Sequence, residues 1–317
     1  MPVADVMKVF APASIGNLSV GFDALGLALQ PQGREILGDV IELRRGPERD
    51  WVLEVGGPFA DALPENPEDN IVMSSCRRFE RILNDRGTNI EPLNVRLEKR
   101  LPVGSGLGSS ASSIVAALVA LNRFHDNPLN RFDLLHLMAQ MEASISGGVH
   151  LDNIAPSLLG GLRLCMPDGH QFALPWPGGW RVLIAWPGTR METRMARQLL
   201  PEKLRRETVV AHGAQFARFV HELYSGDPRD AAKCLVDLIA EPWRKDLIPG
   251  FDAAREALLG LGALAFGISG SGPTVFCIVD DSRVAESGLA WLKKHFLQND
   301  RAFAHICRAD LAGARAL

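Results

Sequence analysis

The sequence predicts an α+β fold, on three observations. The stretches DVIELR (Asp39 to Arg44) and LNVRLE (Leu93 to Glu98) alternate apolar with polar residues, the period of half-buried strands. Ser110 to Leu121 is rich in Ala, Leu and Val, and Asp133 to Ile145 spaces Leu134, Leu135, Met138, Met141 and Ile145 by threes and fours, so both read as helices. Strands followed by helices in separate runs, without strict alternation, point to α+β layers.

Later elements follow the same signals. Arg181 to Trp186 and Thr274 to Val279 are apolar enough for buried strands, residues 207–261 look largely helical, and Glu286 to Phe296 forms a further helix. The Pro- and Gly-dense MPDGHQFALPWPGG (Met166 to Gly179) marks the expected boundary between two units, 1–168 and 169–317. No repeat, heptad array or low-complexity tract interrupts them.

Composition narrows the function classes. With 317 residues and 47% hydrophobic content the chain can bury full cores. Its net charge of −3 and dispersed Lys and Arg give no basic patch, so neither nucleic acid nor a membrane is an expected partner. The N-terminal MPVADVMKVFAPAS lacks a cationic segment followed by a long apolar one, so no export signal is expected. Cys76, Cys165, Cys234, Cys277 and Cys307 are odd in number and far apart, which suggests reduced thiols and a cytoplasmic location.

The segment LPVGSGLGSSAS (Leu101 to Ser112) carries three glycines and runs directly into an apolar helix. Such a loop directs unpaired amides and the positive helix pole at one point, which favours an anion. It also reads as an ordinary turn capped by Ser109 or Ser110, and composition does not decide between the two. Spacing excludes the P-loop, since no Lys precedes the Ser pair, and excludes GxGxxG, since the third Gly falls one position early. Triphosphate charge would then fall to amide dipoles, a metal and cations such as Lys99 or Arg100.

PVGSGLGSSAS, together with APASIGNLSVGFDALG (Ala11 to Gly26) before it and GISGSGPTVF (Gly267 to Phe276) after it, resembles the three-motif signature of the GHMP kinases, which phosphorylate small alcohols with ATP. Within that superfamily the pattern is most similar to the homoserine kinases. APAS followed by Asn17 and Asp23 stands where galactokinases and mevalonate kinases read APGK or APGR, and the likeness extends through EASISGGVHLDNIAPSLLGG (Glu142 to Gly161) and AEPWRKDLIPGF (Ala240 to Phe251). The resemblance implies an N-terminal domain like ribosomal protein S5 domain 2, a C-terminal ferredoxin-like domain, and a site between them. It also implies a left-handed crossover that pattern alone would not suggest. Homodimers are implied by the same analogy.

Residue roles follow from the resemblance. Pro102, Val103, Gly104, Ser105, Gly106, Leu107, Gly108, Ser109, Ser110, Ala111 and Ser112 would hold ATP. Ser110 and Glu142 would hold Mg²⁺, although Glu142 by itself reads as a solvated surface residue set against the helix dipole. Asn17 and Asp23, otherwise ordinary turn residues, would touch the amino-acid substrate L-homoserine, with Asp23 on its ammonium. Arg197 and Arg244 would fork its carboxylate, with Thr193 one helical turn before Arg197, and Gly270 and Ser271 would close over it. His150 and Asn153 are the catalytic candidates. Asn153 stands where relatives such as mevalonate kinase have an Asp base, and Asn accepts no proton, so the expected mechanism is base-free. Asp152 remains the competing base. Two rival readings stay open: a GHMP kinase for another alcohol, and a non-catalytic relative that keeps the nucleotide pocket as a sensor.

Overall fold

The computed structural model describes residues 6–47, 50–146, 148 and 150–317. Two sheets organise the chain, confirming the α+β class. In the first, strands Arg315–Ala316, Val6–Pro12, Gly38–Arg44, Asn94–Glu98 and Val52–Gly56 lie in that order. Phe10 faces Val40 and Ile41 faces Leu97 across antiparallel pairs, whereas Val52–Gly56 runs parallel to Asn94–Glu98. Between those two parallel strands the chain crosses over through helix Ile71–Asp85, which Asn70 caps by accepting the Val72 amide at 2.9 Å. Val72, Cys76, Phe79 and Leu83 form the inward stripe of that helix.

Helix Ser109–Phe124 is the centre of this half. It is apolar nearly all round, so it is buried nearly all round, packed by strands Val6–Pro12 and Gly38–Arg44 and by helices Ile71–Asp85 and Arg131–Ser146. The helices expected over 110–121 and 133–145 are both present and extend slightly further than their apolar patterns.

The second sheet crosses from one half of the chain to the other. Its order is Ala265–Ile268, Val275–Val279, Arg181–Trp186, Phe303–Ala309, Leu25–Pro31, Leu162–Cys165 and Gln171–Leu174, with Ser14–Gly16 also on Leu25–Pro31. The join between halves is the antiparallel pairing of Cys307 with Pro31 and Ala309 with Leu29. Helices Phe251–Gly260 and Ser282–His295 pack on the strands of the later half; Asp281 caps the second by accepting the Arg283 and Val284 amides. The Pro- and Gly-dense stretch is more than a connector, because Gln171–Leu174 within it pairs with Leu162–Cys165. The span 207–261 is helical in pieces, Arg206–Ser225, Pro228–Lys233, Glu241–Arg244 and Phe251–Gly260, with a non-helical turn around Asp237. All five cysteines are buried and free. Among the described residues, no helix is long and apolar enough to cross a membrane.

Candidate active site

The three motifs, far apart in sequence, are stitched together by their main chains. Ser14 donates its amide to Leu107 O at 3.1 Å, Thr274 to Ser105 O at 3.1 Å, and Gly270 to Gly16 O at 3.1 Å. Ser269 Oγ donates to Gly106 O at 2.6 Å. Gly104, Gly106 and Gly108 all have positive φ, and a Cβ at Gly106 would collide with the carbonyls of Ser269 and Gly272, so only glycine allows this closure. Side chains of Ser105, Leu107 and Ser109 turn inward while Gly104, Gly106, Gly108 and Ser110 stay partly open. The loop therefore presents backbone to a visitor. Ser112 bonds back to Gly108 O, leaving the amides of Ser109, Ser110 and Ala111 as the helix's open donors.

Several members of this segment face the core. Pro102, Leu107, Ala111 and Ser112 are buried, and Ser112 Oγ donates to Ala11 O while accepting the Asp39 amide, each at 2.8 Å. Lys99 corrects an expectation. Its ammonium is sealed against Asp39 and donates to Ser109 O and Ser113 Oγ, each at 2.9 Å, so all three protons are used and none is left for phosphate. It anchors the first turn of helix Ser109–Phe124 to the sheet. Arg100 gives its amide to the same Asp39 carboxylate.

Glu142 is also held at this point. Its helix brings Oε1 within 3.0 Å of Ser110 Oγ, and burial pushes its carboxyl above the ordinary carboxylate range. Among the described residues no three His, Cys, Asp or Glu side chains gather for a metal. A hydroxyl and one carboxylate beside open amides nevertheless fit Mg²⁺, which takes few protein oxygens and the rest from phosphates and water.

Next to this lies a cleft lined by every residue expected to touch an amino-acid substrate: Asn17, Asp23, His150, Thr193, Arg197, Arg244, Gly270 and Ser271, with Glu142, Asp152 and Asn153. Asn17, Leu18, Ser19 and Asp23 have φ of 68°, 44°, 57° and 56°, left-handed conformations that cost non-glycine residues about 1 kcal/mol each. Asn17 holds the bend, accepting the Asp23 amide at 2.9 Å and donating to Gly270 O at 3.0 Å.

Charge in the cleft is arranged around Asp23. Arg197 forks it with two bonds of 2.9 Å, and His150 Nδ1 stands 3.5 Å from the same carboxylate. Arg244 is 3% exposed, donating to Ala196 O at 3.1 Å and Gly270 O at 3.2 Å, and burial holds its pKa below the usual guanidinium value. Its short helix is set by Asp237, whose carboxylate accepts the amides of Ile239, Ala240 and Glu241, and by the Glu241–Arg255 ion pair. Thr193 opens helix Thr193–Gln198 at the mouth, 3.5 Å from Ser271 Oγ.

Asn153 Oδ1 accepts from Ser14 Oγ at 2.9 Å. Burial lowers the His150 pKa, so the imidazole is neutral near pH 7. Asp152 is 4% exposed, and burial reinforced by the charges of Asp23 and Glu142 pushes its carboxyl to about 7. Phe22, which pattern reading passes over, lies beneath both guanidiniums, 5.7 Å from Arg197 and 5.9 Å from Arg244. Its only signal is adjacency to Asp23, because the arginines are remote in sequence.

Comparisons with known proteins place the chain in a family. Residues 70–161 match the family model for the GHMP kinases N terminal domain, and residues 219–297 match that for GHMP kinases C terminal. The structure of homoserine kinase from Cytophaga hutchinsonii is similar at 32% identity, covering 100% of this chain and 99% of that one, with a TM-score of 0.89. Mevalonate kinase from Methanococcus jannaschii, at 15% identity over 97% of this chain and 99% of its own, shares the fold with a TM-score of 0.72. Phosphomevalonate kinase from Streptococcus pneumoniae does so at 12% identity, covering 96% and 98%, with a TM-score of 0.68. With both halves matched in order and a full-length relative at that identity, this chain belongs to the GHMP kinase family.

Proposed function

We propose that this protein is an L-homoserine kinase, converting ATP and L-homoserine to ADP and O-phospho-L-homoserine, the step before threonine synthase in threonine biosynthesis. As a GHMP kinase it is a phosphotransferase with ATP as donor. The observation that carries the substrate is the Asp23–Arg197 pair in the cleft, with Arg244 behind it. A zwitterion can exchange both halves of that pair, its ammonium taking Asp23 and its carboxylate taking Arg197 and Arg244, so charges desolvated by binding find partners at once. A sugar offers neither charge, and mevalonate offers only the carboxylate. The full-length likeness to a homoserine kinase supports the same reading.

In this reading the amides of Ser109, Ser110 and Ala111 and the open backbone of Gly104 to Gly108 cradle the triphosphate. Ser110 and Glu142 hold Mg²⁺, which neutralises phosphate oxygens when bound. The substrate hydroxyl forms a bond to the γ-phosphorus as the bond from that phosphorus to the β,γ-bridging oxygen breaks. Asn17 and His150 position the acceptor, Asn153 holds its surroundings through Ser14, and Thr193, Gly270 and Ser271 close the mouth. A loose transition state needs little early deprotonation, so the hydroxyl proton leaves late, to the transferred phosphate. One observation favours a second reading of that proton: Asp152, sealed in the cleft and titrating near 7, is tuned as a general base would be.

The test is ADP release from purified protein with ATP, Mg²⁺ and, separately, homoserine, serine, threonine, mevalonate and galactose. Homoserine is expected to give the highest kcat/KM. Turnover with mevalonate or galactose alone would sink the assignment.

A further inference from the structure

A second cavity, of about 420 Å³, lies outside the cleft, and its lining includes Arg123, Arg131 and Arg163 but no carboxylate. That volume is within the range of small-molecule sites. Arg163 is half-buried, and its fork is locked in place: it donates to Gly160 O at 2.6 Å, Leu159 O at 2.8 Å and Gln171 Oε1 at 3.3 Å, none of them charged. Arg123 and Arg131 are exposed, and neither forms an ion pair or side-chain hydrogen bond with a described residue. Other arginines, among them Arg77, Arg86, Arg229, Arg301 and Arg315, are instead neutralised by a carboxylate.

Three like charges on one concave wall repel one another, and burial with the Arg131 charge lowers the Arg163 pKa. The wall gains a further positive pole from helix Arg131–Ser146, which begins here with Asn130 holding the Asp133 amide at 2.9 Å. Val119, Leu134 and Leu158 supply apolar surface between the charges. We propose that this cavity is a binding site for a small molecule carrying two or more carboxylate or phosphate groups on a short carbon skeleton, with Arg123, Arg131 and Arg163 as its anion contacts.

Its position gives the site a way to be felt at the cleft. Helix Ser109–Phe124 has Ser110 at the cleft end and Arg123 at the cavity. Helix Arg131–Ser146 carries Glu142 at one end and Arg131 at the other, and Asn153 precedes helix Ile154–Leu159, whose Leu158 and Leu159 line the cavity. A ligand that draws the arginines together pulls on all three.

The experiment is calorimetric titration of the full chain, without magnesium and with ADP present to fill the nucleotide loop, using citrate and inorganic pyrophosphate at constant ionic strength. Binding with a dissociation constant below about 1 mM, weakened at least tenfold in R123Q/R131Q, is expected. Citrate alone binding would assign the site to polycarboxylates, and pyrophosphate alone to phosphate compounds. If neither anion binds more tightly than chloride, or if R123Q/R131Q binds as the parent chain does, the site is refuted. Both arginines are exposed and their side chains pair with no described residue, so the variant should keep its melting temperature. If it does not, the single variants Arg123→Gln and Arg131→Gln carry the same test at a threefold loss each. The readout is independent of which alcohol the cleft phosphorylates.

Discussion

Two ion pairs in this molecule use similar chemistry to opposite ends. Lys99 and Asp39 have side chains 2% and 0% exposed, and every donor and acceptor of the pair is taken, with the carboxylate also receiving the Arg100 and Leu101 amides and Ser113 Oγ. Arg197 and Asp23 are 33% and 26% exposed, forked to each other at the edge of a cleft. The first pair is closed to any visitor. The second can be opened by a ligand that replaces each partner with its own charge. Burial and saturation, more than residue type, separate a structural ion pair from a binding one.

The largest expected effect breaks the closed pair. Lys99→Met leaves Asp39 charged and sealed, which should cost about 3–5 kcal/mol in denaturant unfolding. Adding Asp39→Asn should return part of that loss, as a double-mutant cycle would reveal. A loss below 1 kcal/mol would mean that the pair is not closed.

Glu142→Gln comes next and sharpens the contrast between holding a fold and holding a ligand. Gln can still accept from Ser110 Oγ, but it carries no charge for a cation. Roughly a 100- to 1,000-fold fall in kcat is expected, about 3–4 kcal/mol, with the melting temperature at pH 7.5 held or raised because the buried carboxylate is gone. Near-parental turnover would remove Glu142 from the metal site.

Asp152 adds a pH dependence. Its folded pKa, about 7, stands above the ordinary 3.8, so its contribution to stability is full below about pH 4 and is lost as pH rises through 7. Asp152→Asn should therefore flatten the stability profile between pH 4 and 7 and be more stable at pH 8, by about 2–4 kcal/mol. With late proton transfer, kcat should stay within about tenfold. A fall beyond about 100-fold at unchanged KM would give the proton to Asp152.

Local signals exposed much of this in the sequence, and non-local ones hid the rest. The helix after the glycine loop was legible because apolar residues fill every face from Ile114 to Leu121, and strands Gly38–Arg44 and Asn94–Glu98 because they alternate. Strand Leu25–Pro31 was not, since its partners Phe303–Ala309 and Leu162–Cys165 come from distant parts of the chain and residues 25–29 are buried on both faces, leaving no alternation. The same distance misled at Lys99, which beside a glycine loop looks available until Asp39, from another strand, is folded against it. Asn17, Asp23 and Arg197 read locally as a turn and a surface cation. Family resemblance singled them out, and the fold brings them into one cleft.

The smallest expected effects test the open pair itself. Arg197→Ala leaves Asp23 partly solvated with His150 at 3.5 Å, so stability should change by less than about 1 kcal/mol. If the cleft takes homoserine as proposed, its KM should rise about 10- to 100-fold while KM for ATP stays within twofold, because in that reading the fork meets only the carboxylate. Arg244→Ala should raise the same KM but also lower stability, since its side chain ties Ala196 O to Gly270 O from a buried position. If instead both variants raised KM for ATP and spared that for homoserine, the pair would belong to the nucleotide. A zwitterion in the cleft would then have no cation to meet it.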